Sequence, residues 1–229
     1  MVCPLVQLPE EESVHCVRVL RLAAGSEILV VDGAGHCFRA LIIDPHPKRC
    51  MVKTIEPYAF GTELAYSLRV AIAPTKNLDR FEWFMEKATE IGVSRITPLL
   101  CDRSERKNVP MERLARLLVS AMKQSHKSFL PELDAMMPFG EFVKHDSAAV
   151  RAIAHCATGP KEPLWNCYRS GDPLTVMIGP EGDFSEREVA LAESAGFVPI
   201  TLGASRLRTE TAGVVVCQSV SLLADLPRY

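Results

Sequence analysis

From about residue 66 onward, short apolar runs alternate with stretches whose apolar residues recur at helical spacing. Alternation of this kind builds a mainly parallel sheet with helices on both faces, so the expected class is α/β. The expected strands are Leu68 to Ala73, stopped by Pro74, then Arg95 to Leu100, Ala149 to His155, Pro173 to Ile178 and Phe197 to Leu202. Between the first two, Asp79 to Ile91 places Phe81, Phe84, Met85, Ala88 and Ile91 on one helical face, with Gly92 suited to the C-terminal cap. Pro110 opens a second helix, striped by Leu114, Leu117, Leu118 and Ala121. Ser185-Glu186-Arg187-Glu188 has the capping-box pattern and starts a third, running to Gly196. A last helix is expected from Thr209, its N-cap by residue type, to about Asp225.

The preceding residues follow another rule. Glu27 to Asp32 and Cys37 to Ile43 read as a hairpin around Gly33-Ala34-Gly35, and Arg49 to Ile55 as a further strand after the Asp44-Pro45-His46-Pro47 turn. A short helix is expected over Glu11 to Leu22, ending near Gly25. Several short strands in so few residues suggest a small β-barrel. The expected division is therefore residues 1–65 and 66–229.

The 229 residues carry a formal net charge of -2, which excludes a global polycation, so any nucleic acid must be met by a local basic patch. No apolar run approaches the roughly 20 residues of a membrane span, and the start lacks the basic and apolar regions of a secretory signal. The eight cysteines include no C-x-x-C pair. His15-Cys16, His36-Cys37 and His155-Cys156 are poor chelates, because adjacent strand residues point to opposite faces. Reduced thiols in a cytoplasmic protein, with no bound metal, are the expectation.

Two Gly-marked junctions stand out: Ile178-Gly179-Pro180-Glu181-Gly182-Asp183 and Leu202-Gly203-Ala204-Ser205-Arg206-Leu207-Arg208-Thr209-Glu210-Thr211-Ala212. Each follows a strand and opens a helix, and ligands of open α/β sheets bind at the carboxyl ends of strands. Glycine lets backbone groups approach a ligand closely, and Pro180 stiffens the first loop. Two guanidiniums, Arg206 and Arg208, beside a helix N-terminus suit an anionic group. There is no G-x-G-x-x-G or Walker A pattern.

This pair of motifs closely resembles the RsmE family, bacterial methyltransferases of the SPOUT class that modify N3 of a uridine in small-subunit ribosomal RNA. Phe81-Glu82-Trp83 through Gly92-Val93, Pro98-Leu99-Leu100 with Arg103-Ser104-Glu105-Arg106, and Gln124-Ser125 are similar to its next segments, and His15 with Val19-Leu20-Arg21 to its PUA-like RNA-binding domain. The family usually opens with an aromatic-rich strand bearing an arginine, where Met1-Val2-Cys3-Pro4-Leu5 stands here, and many relatives have glycine at the place of Asp183, read as a helix start where Asp suits the dipole. The resemblance implies a deep C-terminal trefoil knot, a homodimer and bound S-adenosylmethionine (AdoMet). It implies cofactor contacts from Ile178, Gly179, Pro180, Glu181, Gly182, Leu202, Gly203, Leu207, Arg208 and Thr209, extended to Thr211 and Ala212.

N3 of uridine must lose a proton before it attacks a methyl sulfonium, so a base and a cation for the developing anion are needed. Among Glu181, Arg206, Arg208 and Glu210, the expected catalytic pair is Arg208, for the uracil anion or the cofactor carboxylate, and Glu210 for the proton. RNA contacts are expected from Arg18 and Arg21, with Arg39, and from Arg103, Arg106 and Lys107, at the head of a run that continues through Arg113, Arg116, Lys123 and Lys127. The expected substrate is 16S ribosomal RNA in an assembled small subunit. Alternatives are another SPOUT enzyme acting on transfer RNA or a different base, and a non-catalytic ribosome-assembly factor.

Overall fold

The computed structural model describes residues 4–59, 64–168 and 171–226. They divide into two units, and His126–Phe129 belongs with the N-terminal one although the surrounding chain belongs with the other, a segment the expected cut near residue 65 assigns elsewhere.

The N-terminal unit begins with β1 (Leu5–Gln7), α1 (Glu10–Val14) and a π-helical turn at His15–Val19, followed by β2 (Glu27–Val31), β3 (Cys37–Asp44) and β4 (Met51–Pro57). The strands form one antiparallel sheet in the order β1-β4-β3-β2, with two register shifts where β3 meets β4. Met1, Val2 and Cys3 of the expected opening strand lie outside the described residues; Leu5–Gln7 pairs with β4. The expected hairpin forms, and its tip is tied by the Asp32 carboxylate, which accepts from the Ala34 and His36 N–H groups at 2.8 and 3.0 Å. Ala34 pairs in turn with Phe129, and Gly35 N–H donates to the Ser128 carbonyl at 3.0 Å, which draws residues 126–129 into this unit. The expected helix over Glu11 to Leu22 is shorter: it gives way to the π turn, and Arg21 has a left-handed φ of 55°. Leu8, Cys16, Ala40, Ile42, Cys50 and Val52 make this unit's core.

The second unit runs β5 (Leu68–Ile72), α2 (Leu78–Ile91), β6 (Arg95–Leu100), α3 (Met111–Gln124), β7 (Glu132–Leu133), β8 (Met137–Pro138), α4 (Phe139–His145), β9 (Val150–Ala154), β10 (Glu162–Pro163), α5 (Leu164–Cys167), β11 (Leu174–Ile178), α6 (Glu186–Ser194), β12 (Val198–Thr201) and α7 (Thr209–Asp225). Its sheet has the order β10-β12-β9-β11-β5-β6-β7, with β8 also on β6, and every pairing is parallel. The five expected strands are its centre; β7, β8 and β10 have two residues each, too short for a periodic signal.

Side chains alternate between two cores. Leu68, Val70, Ile72 and Val176 face α2, α3 and α7, whereas Ala71, Met177 and Ile153 face α4 and α6. The α2 stripe is fully buried at Phe81, Phe84, Met85 and Ala88. The capping box at Ser185 and Glu188 is complete. On the second face, Arg69 is half-buried over the Phe142 ring, 4.7 Å from its centroid. Its guanidinium donates to Asp134 at 2.6 Å, Asp146 at 3.2 Å and the Thr97 hydroxyl at 2.8 Å.

Helices α2 and α7 meet at Gly213, where a Cβ would lie 2.4 Å from Phe84 Cε2 and 3.2 Å from Ile72. Gly213→Ala gains about 1 kcal/mol of helix propensity but overfills a closed core. The expected net loss is about 1–2 kcal/mol, read as a lower urea midpoint. A midpoint at or above wild type would refute the tight contact.

Candidate cofactor site

Because the strands are parallel, the loops after β9, β11 and β12 all emerge at one edge, and the first turn of α7 returns there. Together they enclose a cavity of about 830 Å³, lined by Ala154, His155, Cys156 and Lys161, then Ile178, Gly179, Pro180, Glu181 and Asp183, then Ile200 through Glu210 and Ala212, with Arg80 from α2. Ten of the twelve expected cofactor residues lie in this lining; Gly182 and Thr211 do not.

Hydrogen bonds hold the two Gly-marked loops together. The buried Thr209 hydroxyl donates to the Gly179 carbonyl at 3.0 Å. Thr209 is therefore not the N-cap that its residue type suggested. Arg208 holds that position with no side-chain cap, and Thr209 is the first helical residue, its hydroxyl drawn across to the other loop. At Gly179 a Cβ would lie 3.1 Å from the Phe184 backbone N, so a side chain here would press on the loop's own backbone. Gly203, on the cavity wall, has φ 121°, a conformation that favours glycine, and its carbonyl and N–H bond to the Thr201 hydroxyl at 3.0 and 3.3 Å.

Asp183, expected to start a helix, does not; α6 is capped two residues later by Ser185. Asp183 instead has φ 65°, a conformation that favours glycine and that Asp tolerates better than most residues. Its carboxylate offsets the strain by accepting from Cys156 N–H at 2.8 Å and Phe184 N–H at 2.9 Å, which ties the end of β9 to this loop. The Glu181 carboxylate accepts from Lys76 N–H at 2.9 Å.

The charged groups are divided by burial. Arg206 and Arg208 are exposed on the rim, while Glu210 is buried with its carboxylate 3.9 Å from Arg80 Nε. His155 has both ring nitrogens buried and without a hydrogen-bond partner among the described residues. Burial lowers its pKa below 6.5 and the Lys161 charge adds to this, against the opposing pull of Asp183 and Glu193, so the ring is neutral at pH 7.

Arg80, His155, Cys156 and Lys161 escaped the sequence reading. Arg80 had a signal, since it sits in the first turn of a helix that follows a strand's carboxyl end. His155 and Cys156 carry no local pattern beyond that of a poor metal chelate. Arg18, Arg21 and Lys107 are exposed. Arg103 and Arg106, expected at RNA phosphates, direct their guanidiniums to backbone carbonyls. Among the described residues no helix is long and apolar enough to cross a membrane.

A cavity of this size suits a nucleoside-sized ligand. Ile178, Ile200, Leu202 and Leu207, with small residues between them, offer apolar walls for a purine, while carbonyls along the two loops have lone pairs that can accept from its edge. Arg80, Arg206 and Arg208 suit a carboxylate, and Glu181, Asp183 and Glu210 suit an amine or hydroxyls. The residues present therefore fit AdoMet.

Comparison with known proteins agrees. The sequence matches the RNA methyltransferase domain family over residues 62–221 and the RNA methyltransferase PUA domain family over residues 8–55. It is 32% identical over 215 residues to Ribosomal RNA small subunit methyltransferase E of Synechocystis sp., covering 91% of this chain and 70% of that one. A crystal structure named "probable rRNA-methyltransferase" from Porphyromonas gingivalis is 40% identical, with a TM-score of 0.89 over 95% of this chain and 93% of that one. A Legionella pneumophila protein solved in complex with the bound cofactor SAM is 29% identical, with a TM-score of 0.86 over 96% and 92% of the two chains.

Proposed function

This chain belongs to the ribosomal RNA small subunit methyltransferase E family, and on that premise we propose that it methylates N3 of a uridine in 16S ribosomal RNA. It is an AdoMet-dependent ribosomal RNA methyltransferase. The observation that carries the finer reading is the joining of two Gly-marked loops by the Thr209–Gly179 hydrogen bond, with Arg208 and Glu210 in the same cavity.

AdoMet supplies an electrophilic methyl group on sulfonium. Ile178 to Glu181, Leu202, Gly203, Leu207, Thr209 and Ala212 are the residues that would hold it. Arg208, exposed at the rim, is assigned to stabilise the uracil anion as N3 loses its proton. Glu210 is assigned as the acceptor of that proton, with its carboxylate 3.9 Å from Arg80 Nε. The path of the chain supports the expected trefoil knot: β12 lies outside β9, yet α7 returns across the sheet to pack on β11 and β5.

Arg18 and Arg21 in the PUA-like unit, and Lys107 after β6, are assigned to RNA phosphates. A homodimer acting in the cytoplasm on an assembled small subunit completes the reading.

Small subunits lacking the modification, incubated with the protein and AdoMet, are expected to yield N3-methyluridine on mass-spectrometric nucleoside analysis. Methylation of another base, or of transfer RNA alone, would overturn the assignment.

A further inference from the structure

The loop after β6 is stapled to the loop after β11, and we propose that Arg103 and Arg106 are positioning residues for the cofactor loop rather than contacts for RNA phosphate. The proposal rests on the reading that the cavity takes AdoMet.

Arg103 Nη1 donates to the carbonyls of Gly182, at 2.9 Å, and Phe184, at 3.3 Å. A Cβ at Gly182 would sit 3.5 Å from Arg103 Cβ, so this side of the loop rests on the arginine and not on the cavity. That explains how Gly182 belongs to the motif without lining the pocket. Beside it, Asp102 N–H donates to Glu188 Oε1 at 2.8 Å, and the Ser185 hydroxyl donates to Asp102 Oδ2 at 2.6 Å.

Arg106 holds the same loop from its other side through one intermediate. Its Nε donates to the Thr75 carbonyl at 3.0 Å and its Nη2 to the Lys76 carbonyl at 2.7 Å. The peptide so clamped presents Lys76 N–H to Glu181 Oε1. Glu181 and Asp183, which do line the cavity, are therefore each held at or beside a clamped position, Glu181 through Lys76 and Asp183 between the two carbonyls that Arg103 binds. A loop that offers backbone groups to a ligand binds more tightly when its ordering cost has been met beforehand. Arginine suits the task because its fork reaches two carbonyls from fixed directions, which an ammonium cannot copy at Arg106. Arg103 uses a single nitrogen, which a lysine can replace.

The test measures AdoMet affinity by calorimetry, ligand-free melting, and the salt dependence of binding to small-subunit RNA, for wild type and four variants. Arg103→Met and Arg106→Met are expected to weaken AdoMet by about tenfold or more, the share of one charge-assisted hydrogen bond. Ligand-free melting and the salt slope are expected to stay near wild type. Arg103→Lys is expected to restore most of the affinity and Arg106→Lys little of it. Should a methionine variant fail to fold, its lysine counterpart carries the comparison. Unchanged AdoMet affinity with a salt slope smaller by about one per arginine would overturn the proposal in favour of phosphate contact. Equal rescue by both lysines would overturn the clamp geometry. Failure of the wild type to bind AdoMet would instead sink the underlying reading of the cavity.

Discussion

Arg208→Ala is expected to lower kcat for methyl transfer by roughly 10²- to 10³-fold, the usual effect of removing one group that stabilises a developing anion. The side chain is exposed and supplies no cap hydrogen bond to α7, so folding should change by no more than about 0.5 kcal/mol. The two readouts separate chemistry from stability. Single-turnover methylation with saturating AdoMet reports the first, and urea unfolding the second. If AdoMet affinity falls as much as kcat, Arg208 acts on the cofactor's carboxylate instead. Wild-type turnover would remove the residue from the mechanism altogether.

The second large effect is structural. Arg69→Met should destabilise the methyltransferase unit by about 3–5 kcal/mol, because it removes one partner of a buried ionic network. Asp146 has 2% side-chain exposure and keeps only the Thr175 hydroxyl, at 3.0 Å, as a side-chain donor. At this chain length the melting temperature should fall by roughly 6–20 °C. A fall of only a degree or two would mean that the network relaxes at little cost.

The same network sets a pH dependence. Burial opposes ionisation of Asp134, but hydrogen bonds from Arg95, Thr97 and Arg69 outweigh it and hold its pKa below 3.8. A depressed carboxylate contributes stability that is complete above its unfolded value and lost as pH falls through the folded one. Wild type should therefore lose stability on acidification below about pH 4, and Asp134→Asn should lose less over the same range. Parallel curves for the two proteins would rule out this contribution.

Much of the framework was legible because it rests on local rules. The stripe from Phe81 to Ala88 is a helix with one buried face whatever surrounds it. Ser185 and Glu188 satisfy each other's backbone within four residues. The five central strands carry apolar runs long enough to be seen, whereas the two-residue strands at Glu132, Met137 and Glu162 exist only because a neighbouring strand offers hydrogen bonds. Residues 126–129 follow the same logic: nothing local says that they join the Asp32–His36 hairpin tip, since the partner lies about ninety positions away.

At the site the division is sharper. The two Gly-marked loops, and the arginines between them, could be read directly, because glycine, proline and guanidinium chemistry is local. The sequence by itself determined the α/β class, the strand ends that form the cavity and the family. Only the tertiary structure decided that Thr209 bonds to Gly179 rather than capping its helix, that Asp183 occupies a left-handed turn, and that Arg80 and His155 enter the lining. It also paired Arg103 and Arg106 with carbonyls that no local pattern places beside them. The reason is physical: a side chain's intrinsic chemistry travels with the residue, but its hydrogen-bond partner is chosen by whichever distant segment the fold brings within 3 Å or so.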